Sequence, residues 1–195
     1  MRCWLCGVLV VVLVISVAGC TFRQTRTSLL ELMLEKIYEV ESYQLEADME
    51  IGGQIYQVRQ WFLAPDKLRT VMYQSTGLEQ IVVSVAGSSA AYYSATKEWV
   101  SLREPNTGPF PWGMPLLLLL AELAKENTTI TDTFSSVKLA VKAQSGWDNC
   151  EVVISKRTGL PESCTLVKGT DSVKLRVNSL VLNPRLAEDL FRLGR

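Results

Sequence analysis

Cysteine, carboxylate and lysine side chains are what this sequence offers to chemistry, because its 195 residues contain no histidine. That absence removes the Ser-His-Asp triad, the Cys-His dyad and the common histidine-ligated zinc sites. Catalysis by carboxylates or lysine alone would need a constellation, and none is visible. Asp66, Glu79, Asp132 and Asp148 stand apart in turn-like contexts, where solvated acids are expected. A nucleophile motif, a phosphate-binding glycine loop and metal-ligand spacing are all missing, so the expectation is no enzyme, no cofactor and no metal. Of the five cysteines, Cys3, Cys6 and Cys20 lie near the amino terminus, and Cys150 and Cys164 flank a short hairpin. Outside the cytoplasm the last two could bridge, closing a loop worth on the order of 3 kcal/mol if strand register brings the sulfurs together. Two buried free thiols are the alternative.

Cys20 has the most specific context. Residues Val8 to Ile15 are an unbroken apolar core, followed by Ser16, Val17, Ala18, Gly19 and Cys20. The run falls short of the roughly 18 apolar residues of a membrane-crossing helix, and its small-residue ending suits a processing enzyme. The ending resembles the lipobox of bacterial lipoproteins, which implies lipidation of Cys20, cleavage before it and anchoring on the extracytoplasmic face of the cell membrane. An ordinary secretory signal that happens to end at a cysteine is the alternative, and Arg2 is the only basic residue ahead of the apolar core.

The domain reading that follows is a cleaved signal over 1–19, a lipidated cysteine and tether over 20–27, and one domain over 28–195. Twenty basic residues balance twenty acidic ones. With no basic excess to neutralise phosphates, nucleic acid is not an expected partner. The Thr21–Thr27 stretch reaches at most roughly 25 Å, which would hold the domain close to the bilayer.

The mature chain opens with a helix. Ser28 and Glu31 have capping-box spacing, and Leu30, Met33, Leu34, Ile37 and Val40 recur at helical intervals. From Leu45 the period changes to two, with Leu45, Ala47, Met49 and Ile51 against Glu46, Asp48 and Glu50. Turns at Gly52-Gly53, Pro65-Asp66, Thr76-Gly77, Gly87-Ser88 and Thr96-Lys97 then divide the chain into a six-strand meander ending at Leu102. Four more strands are expected around Val137–Ala143, Glu151–Ser155, Ser163–Lys168 and Val173–Val177, with a last helical turn within Leu186–Leu193. The fold class is α+β: about ten strands in a strongly curved, incomplete antiparallel barrel, with the first helix and a second, apolar one.

That second helix starts at Pro115, after a Pro- and Gly-rich stretch holding Phe110 and Trp112, and runs through Leu116–Leu120 to Ala124. Leucine on every side of a helix must be covered all round. It is either a plug fixed over the sheet or a lid that moves aside from an apolar cavity. Candidate lining residues are Trp61, Phe62, Tyr92, Tyr93, Trp99, Phe110, Trp112 and Leu117, with core packing the alternative for each.

The order of these pieces resembles the LolA-like family of lipoprotein carriers and its lipid-anchored relatives in spore-forming and other Gram-positive bacteria. The resemblance rests on Ser42-Tyr43, on Val58 to Arg69 with its Trp61-Phe62-Leu63-Ala64-Pro65, and on Gln80 to Ser84 leading to Tyr92-Tyr93. Pro109-Phe110, Thr158-Gly159-Leu160-Pro161 and Asn178 to Asn183 before Phe191 extend it. It implies an unclosed antiparallel barrel with helices as a lid over a hydrophobic concavity that takes acyl chains. In the carriers an arginine directly before the equivalent of Pro65 helps hold the lid, but here that residue is Ala64. A tether at Cys20 also departs from a soluble shuttle.

Two functions from different classes follow. One is a tethered module binding an acyl chain, another lipid or a lipoprotein in the concavity. The other is a sporulation or germination lipoprotein: the resemblance includes clostridial germination lipoproteins that partner a spore-cortex enzyme, and the exposed strand edges of an open barrel supply the means.

Overall fold

A computed structural model describes residues 31–102, 115–117, 129–144 and 147–193. The expectations for the signal, Cys20, the tether, Phe110 and Trp112 fall outside the described residues, as does the second helix beyond Leu117. Residues 31–38 form helix α1. Met33 and Ile37, one turn apart, are both fully buried, and Leu34 and Val40 pack beside them.

Eleven strands follow: β1 (Ser42–Ile51), β2 (Gln54–Leu63), β3 (Lys67–Gln74), β4 (Gly77–Val85), β5 (Ser88–Tyr93), β6 (Glu98–Leu102), β7 (Thr129–Asp132), β8 (Ser136–Gln144), β9 (Trp147–Ser155), β10 (Pro161–Lys168) and β11 (Asp171–Leu182). They make one antiparallel sheet in the order β6-β5-β4-β3-β2-β1-β11-β10-β9-β8-β7. Two meanders thus run outward from a central seam where β1 pairs β11, with Tyr43 opposite Leu182 and Ile51 opposite Val173. Among the described residues β6 and β7 are the free edges of a curved open sheet.

Ten strands were expected, and eleven are present among the described residues. The missing one, β7, is Thr-Ile-Thr-Asp, too short to show alternation, and it exists because it pairs with β8, Ile130 opposite Leu139. The last strand also runs on to Leu182. A register shift at Glu46/Ala47 leaves Asn178 unpaired on β11, so the buried set changes phase from Val173, Leu175 and Val177 to Leu180 and Leu182. Such a bulge breaks period-two reading of one continuous strand.

Cross-strand register assigns every side chain to a face. The inner face carries Tyr43, Leu45, Ala47 and Met49 of β1, with Val58, Phe62 and Leu68 on one side and Leu139, Val152, Ile154, Leu166 and Leu175 on the other, all buried. α1 and Leu116–Leu117 cover it, sharing one core cluster with these strands. The outer face is wet over its centre, where Glu46 pairs Arg59, Glu50 pairs Lys174 and Glu151 pairs Lys138, each at 3.2 Å. Over β3 and β4 it is dry: Val71, Val83 and Phe191 are buried where the 3-10 turn Glu188–Phe191 crosses those strands. The Arg69 guanidinium donates to the Leu190 carbonyl at 3.0 Å, and Lys67 pairs Glu188 at 3.0 Å.

Asn183 joins the ends of the seam. Its side-chain oxygen accepts from the Glu41 and Ser42 N–H groups at 2.9 and 3.2 Å, its own N–H donates to the Ser42 carbonyl at 2.7 Å, and its φ of 53° is one asparagine tolerates. The turn from α1 into β1 is thereby pinned to the exit of β11.

Candidate functional site

The polar centre of an apolar surface marks the site. On the inner face, Gln60 of β2 and Thr70 of β3 stand opposite each other and are 0% and 1% exposed. A glutamine held in a dry core needs partners for its amide. Its Nε2 donates to Thr70 Oγ1 at 2.9 Å, and its Oε1 accepts from the Tyr43 hydroxyl and from the Leu116 N–H, the latter at 2.7 Å.

The Leu116 bond explains why the sheet tolerates the others. A helix starts at Leu116, and the first N–H groups of a helix have no partner within it. Water would normally serve, but Leu116 and Leu117 are each 1% exposed. Pro115 has no N–H to satisfy, so the demand begins at Leu116, and a side chain from the opposite element meets it. The phenol oxygen of Tyr43 also faces the Leu117 and Leu116 N–H groups. Burial pushes the Tyr43 pKa far above the usual tyrosine value, and those N–H groups only partly counter it, so the ring stays protonated and can donate to Gln60. Tyr43 stacks on Phe62 with ring centroids 5.4 Å apart, which fixes where its hydroxyl points.

The arrangement is a hydrogen-bonded attachment of the Leu116–Leu117 segment to the sheet. Among the described residues no cluster of three cysteine, aspartate or glutamate side chains could hold a metal ion. Leu116 and Leu117 lie on the inner face, in its core cluster. With Ala64 offering no side-chain donor, the attachment comes from Gln60, four residues earlier and on the inner face.

The eight lining candidates separate. Phe62 and Leu117 lie in the inner core. Tyr93 shares that face by register but is 38% exposed near a strand end. Trp61, Tyr92 and Trp99 project from the outer face: Trp61 stands beside Arg69, and Tyr92 meets Trp99 with ring centroids 5.6 Å apart. Trp61, Arg69, Tyr73 and Ile81 line an outer groove of about 490 Å³. Aromatic type alone could not show that these three point away from the helix, whereas strand phase could: Trp61 alternates with Gln60 and Phe62. Gln60 itself escaped sequence reading, and its one signal was a polar residue at an inward position between Val58 and Phe62.

Cys150 and Cys164 are both buried and both free, their Sγ atoms 4.0 Å apart on the inner face, at diagonal rather than opposed register positions. Cys164 is pushed up by its hydrogen bond with Cys150 and by burial.

No protein-family model matches this chain, and no curated protein does. Solved structures do match. An uncharacterized conserved protein from Thermus thermophilus is 14% identical, with a TM-score of 0.57 over 88% of this chain and 95% of that one. MucB, also solved in complex with MucA from Pseudomonas aeruginosa, is 19% identical, with a TM-score of 0.53 over 86% of this chain and 62% of its own. A LolA superfamily protein from Nitrosomonas europaea is 8% identical, with a TM-score of 0.46 over 85% and 96%. The first two share the fold and, at these identities, the fold alone. The third, at this TM-score, does not bear on the fold.

Proposed function

We propose that this chain is a membrane-anchored, non-enzymatic lipoprotein of LolA-like fold that binds an apolar ligand, an acyl chain or a lipidated polypeptide, on the inner face of its open sheet. Residues 1–19 are its cleaved signal, Cys20 carries the lipid, 20–27 are the tether, 28–195 are the single domain, and the extracytoplasmic face of the cell membrane is its place. One observation carries the ligand reading. The inner face is apolar across both meanders, yet the segment lying on it is attached through Gln60 and Tyr43, which any displacement must break.

Mass spectrometry of an organic extract of the purified protein tests it, together with uptake of a fluorescent fatty acid. Bound lipid or saturable uptake supports the reading, and a lipid-free protein that takes up nothing sinks it. Metabolic palmitate labelling, lost on Cys20→Ser, tests the anchor. Alkylation of protein from the native envelope, unfolded without reductant, decides the state of Cys150 and Cys164: resistance supports a bridge, and full reaction shows two free thiols.

A second reading rests on the free edges. Among the described residues β6 and β7 each offer one unpaired row of backbone groups, and a strand from a cell-wall enzyme partner could add there. The structural likeness to MucB, a protein solved with a protein partner, supports this class. Co-purification of a stoichiometric partner without bound lipid favours it.

A further inference from the structure

We propose that the outer groove over β2–β4 is a second binding site, taking a small monocarboxylate with an apolar body whose carboxylate is held by Arg69 and Trp61. The groove, at about 490 Å³, falls inside the roughly 300–1,000 Å³ of small-molecule sites. Trp61, Tyr73, Leu78 and Ile81 line it, and Leu190 of the 3-10 turn joins them. It is separate from the inner face: Trp61 and Arg69 oppose each other on the outer side of β2 and β3, while Gln60 and Thr70, next along the same strands, are buried on the inner side.

Donors in this groove stand unused. Arg69 makes one hydrogen bond, from Nη1 to the Leu190 carbonyl at 3.0 Å, which leaves the Nε–Nη2 edge of its fork without a protein acceptor among the described residues. No carboxylate among them pairs with it. The indole N–H of Trp61, directly opposite, donates to no acceptor among them either. Arg69 is half-buried, and burial pulls its pKa below the ordinary arginine value, with Tyr73 opposing. A guanidinium there keeps its charge, and a cation drawn out of water calls for a partner. A carboxylate matches the free edge of the fork with two parallel hydrogen bonds.

The surrounding charges set the valence of the ligand. Arg59 is paired with Glu46 and Lys67 with Glu188. The groups left uncompensated along the groove are two cations, Arg69 and Arg192, against one carboxylate, the exposed Asp189. That balance of one positive charge suits a monoanion, and a phosphate dianion would exceed it.

Titration calorimetry of the full chain in phosphatidylcholine nanodiscs, with the heat of empty nanodiscs subtracted, tests the site with 3-phenylpropanoate and with 3-phenylpropanamide, which has the same shape and no charge. The acid should bind saturably and the amide about tenfold more weakly, as loss of a charge-assisted pair requires. Arg69→Gln should abolish that preference. Trp61→Leu, which leaves the Leu190 contact in place, should weaken binding of the acid several-fold. N-acetylphenylalanine and hexanoate distinguish the sources of such a group: tighter binding of the first assigns a peptide carboxyl end, and of the second a short fatty acid. Equal binding of acid and amide, tighter binding of phenyl phosphate, or a carboxylate preference that survives Arg69→Gln overturns the proposal. Should Arg69→Gln fail to fold, unchanged affinity in Trp61→Leu overturns it.

Discussion

The two meanders cover the same core with different chemistry. The inner face of β1–β6 holds Gln60, Thr70 and the Tyr43 hydroxyl at its centre, and Ser84 and Ser89 share a hydrogen bond of 2.8 Å further out. The inner face of β8–β11 holds leucine, valine, isoleucine and two thiols. A leucine-bearing segment gains apolar burial wherever it lies on such a surface, since that driving force has no direction. Its unpaired helix N–H groups can be satisfied only over the first meander. Burial draws the segment in, and Gln60 decides where it stops.

Four substitutions can break or sharpen that contrast. On the dry side, Leu166→Ala should lose about 3 kcal/mol in denaturant unfolding, because the cavity forms in close-packed surroundings. A loss under about 1 kcal/mol would mean this face is not packed as described. On the polar side, Gln60→Leu should lose about 2 kcal/mol, leaving the Leu116 N–H and the Tyr43 hydroxyl without their acceptor. Hydrogen exchange should then speed up at Leu116 and Leu117 more than in β8–β10, and uniform acceleration would argue against a local latch.

Smaller still, Tyr43→Phe should lose about 1 kcal/mol near neutral pH. It should also change the alkaline limb of stability. A buried tyrosine with a raised pKa keeps its proton when the unfolded chain has lost it, so stability falls as pH rises above about 10, by at most about 1.4 kcal/mol per unit. The Phe variant should flatten that limb, and parallel limbs for the two proteins would refute the assignment. The least effect is expected from Thr70→Val, under about 1 kcal/mol, since Gln60 Nε2 loses an acceptor while Oε1 keeps both of its donors.

Much of the sheet was readable before any coordinates. Leu45, Ala47, Met49 and Ile51 gave β1 its phase, and Gly52-Gly53, both at positive φ, marked the first hairpin. Met33 and Ile37 gave α1 its face. β7 was hidden because four residues cannot display a period, and β11 was cut short because the bulge at Asn178 reverses its phase. The site was harder. All the lining candidates were chosen for residue type: Phe62 and Leu117 do lie in the core, whereas the register that turns Trp61, Tyr92 and Trp99 outward lies in their neighbours. Gln60 was not singled out, because its reason for being there is a backbone group more than fifty residues further along the chain.

The seam between β1 and β11 carries a kinetic consequence. Every other ladder joins strands adjacent in sequence, so each meander can zip up from its own turns, whereas Tyr43 must find Leu182 across nearly the whole chain. Closing so long a loop is the slow entropic step in assembling such a sheet. The halves should therefore nucleate separately and dock late, with Asn183 acting as the clasp that fastens them.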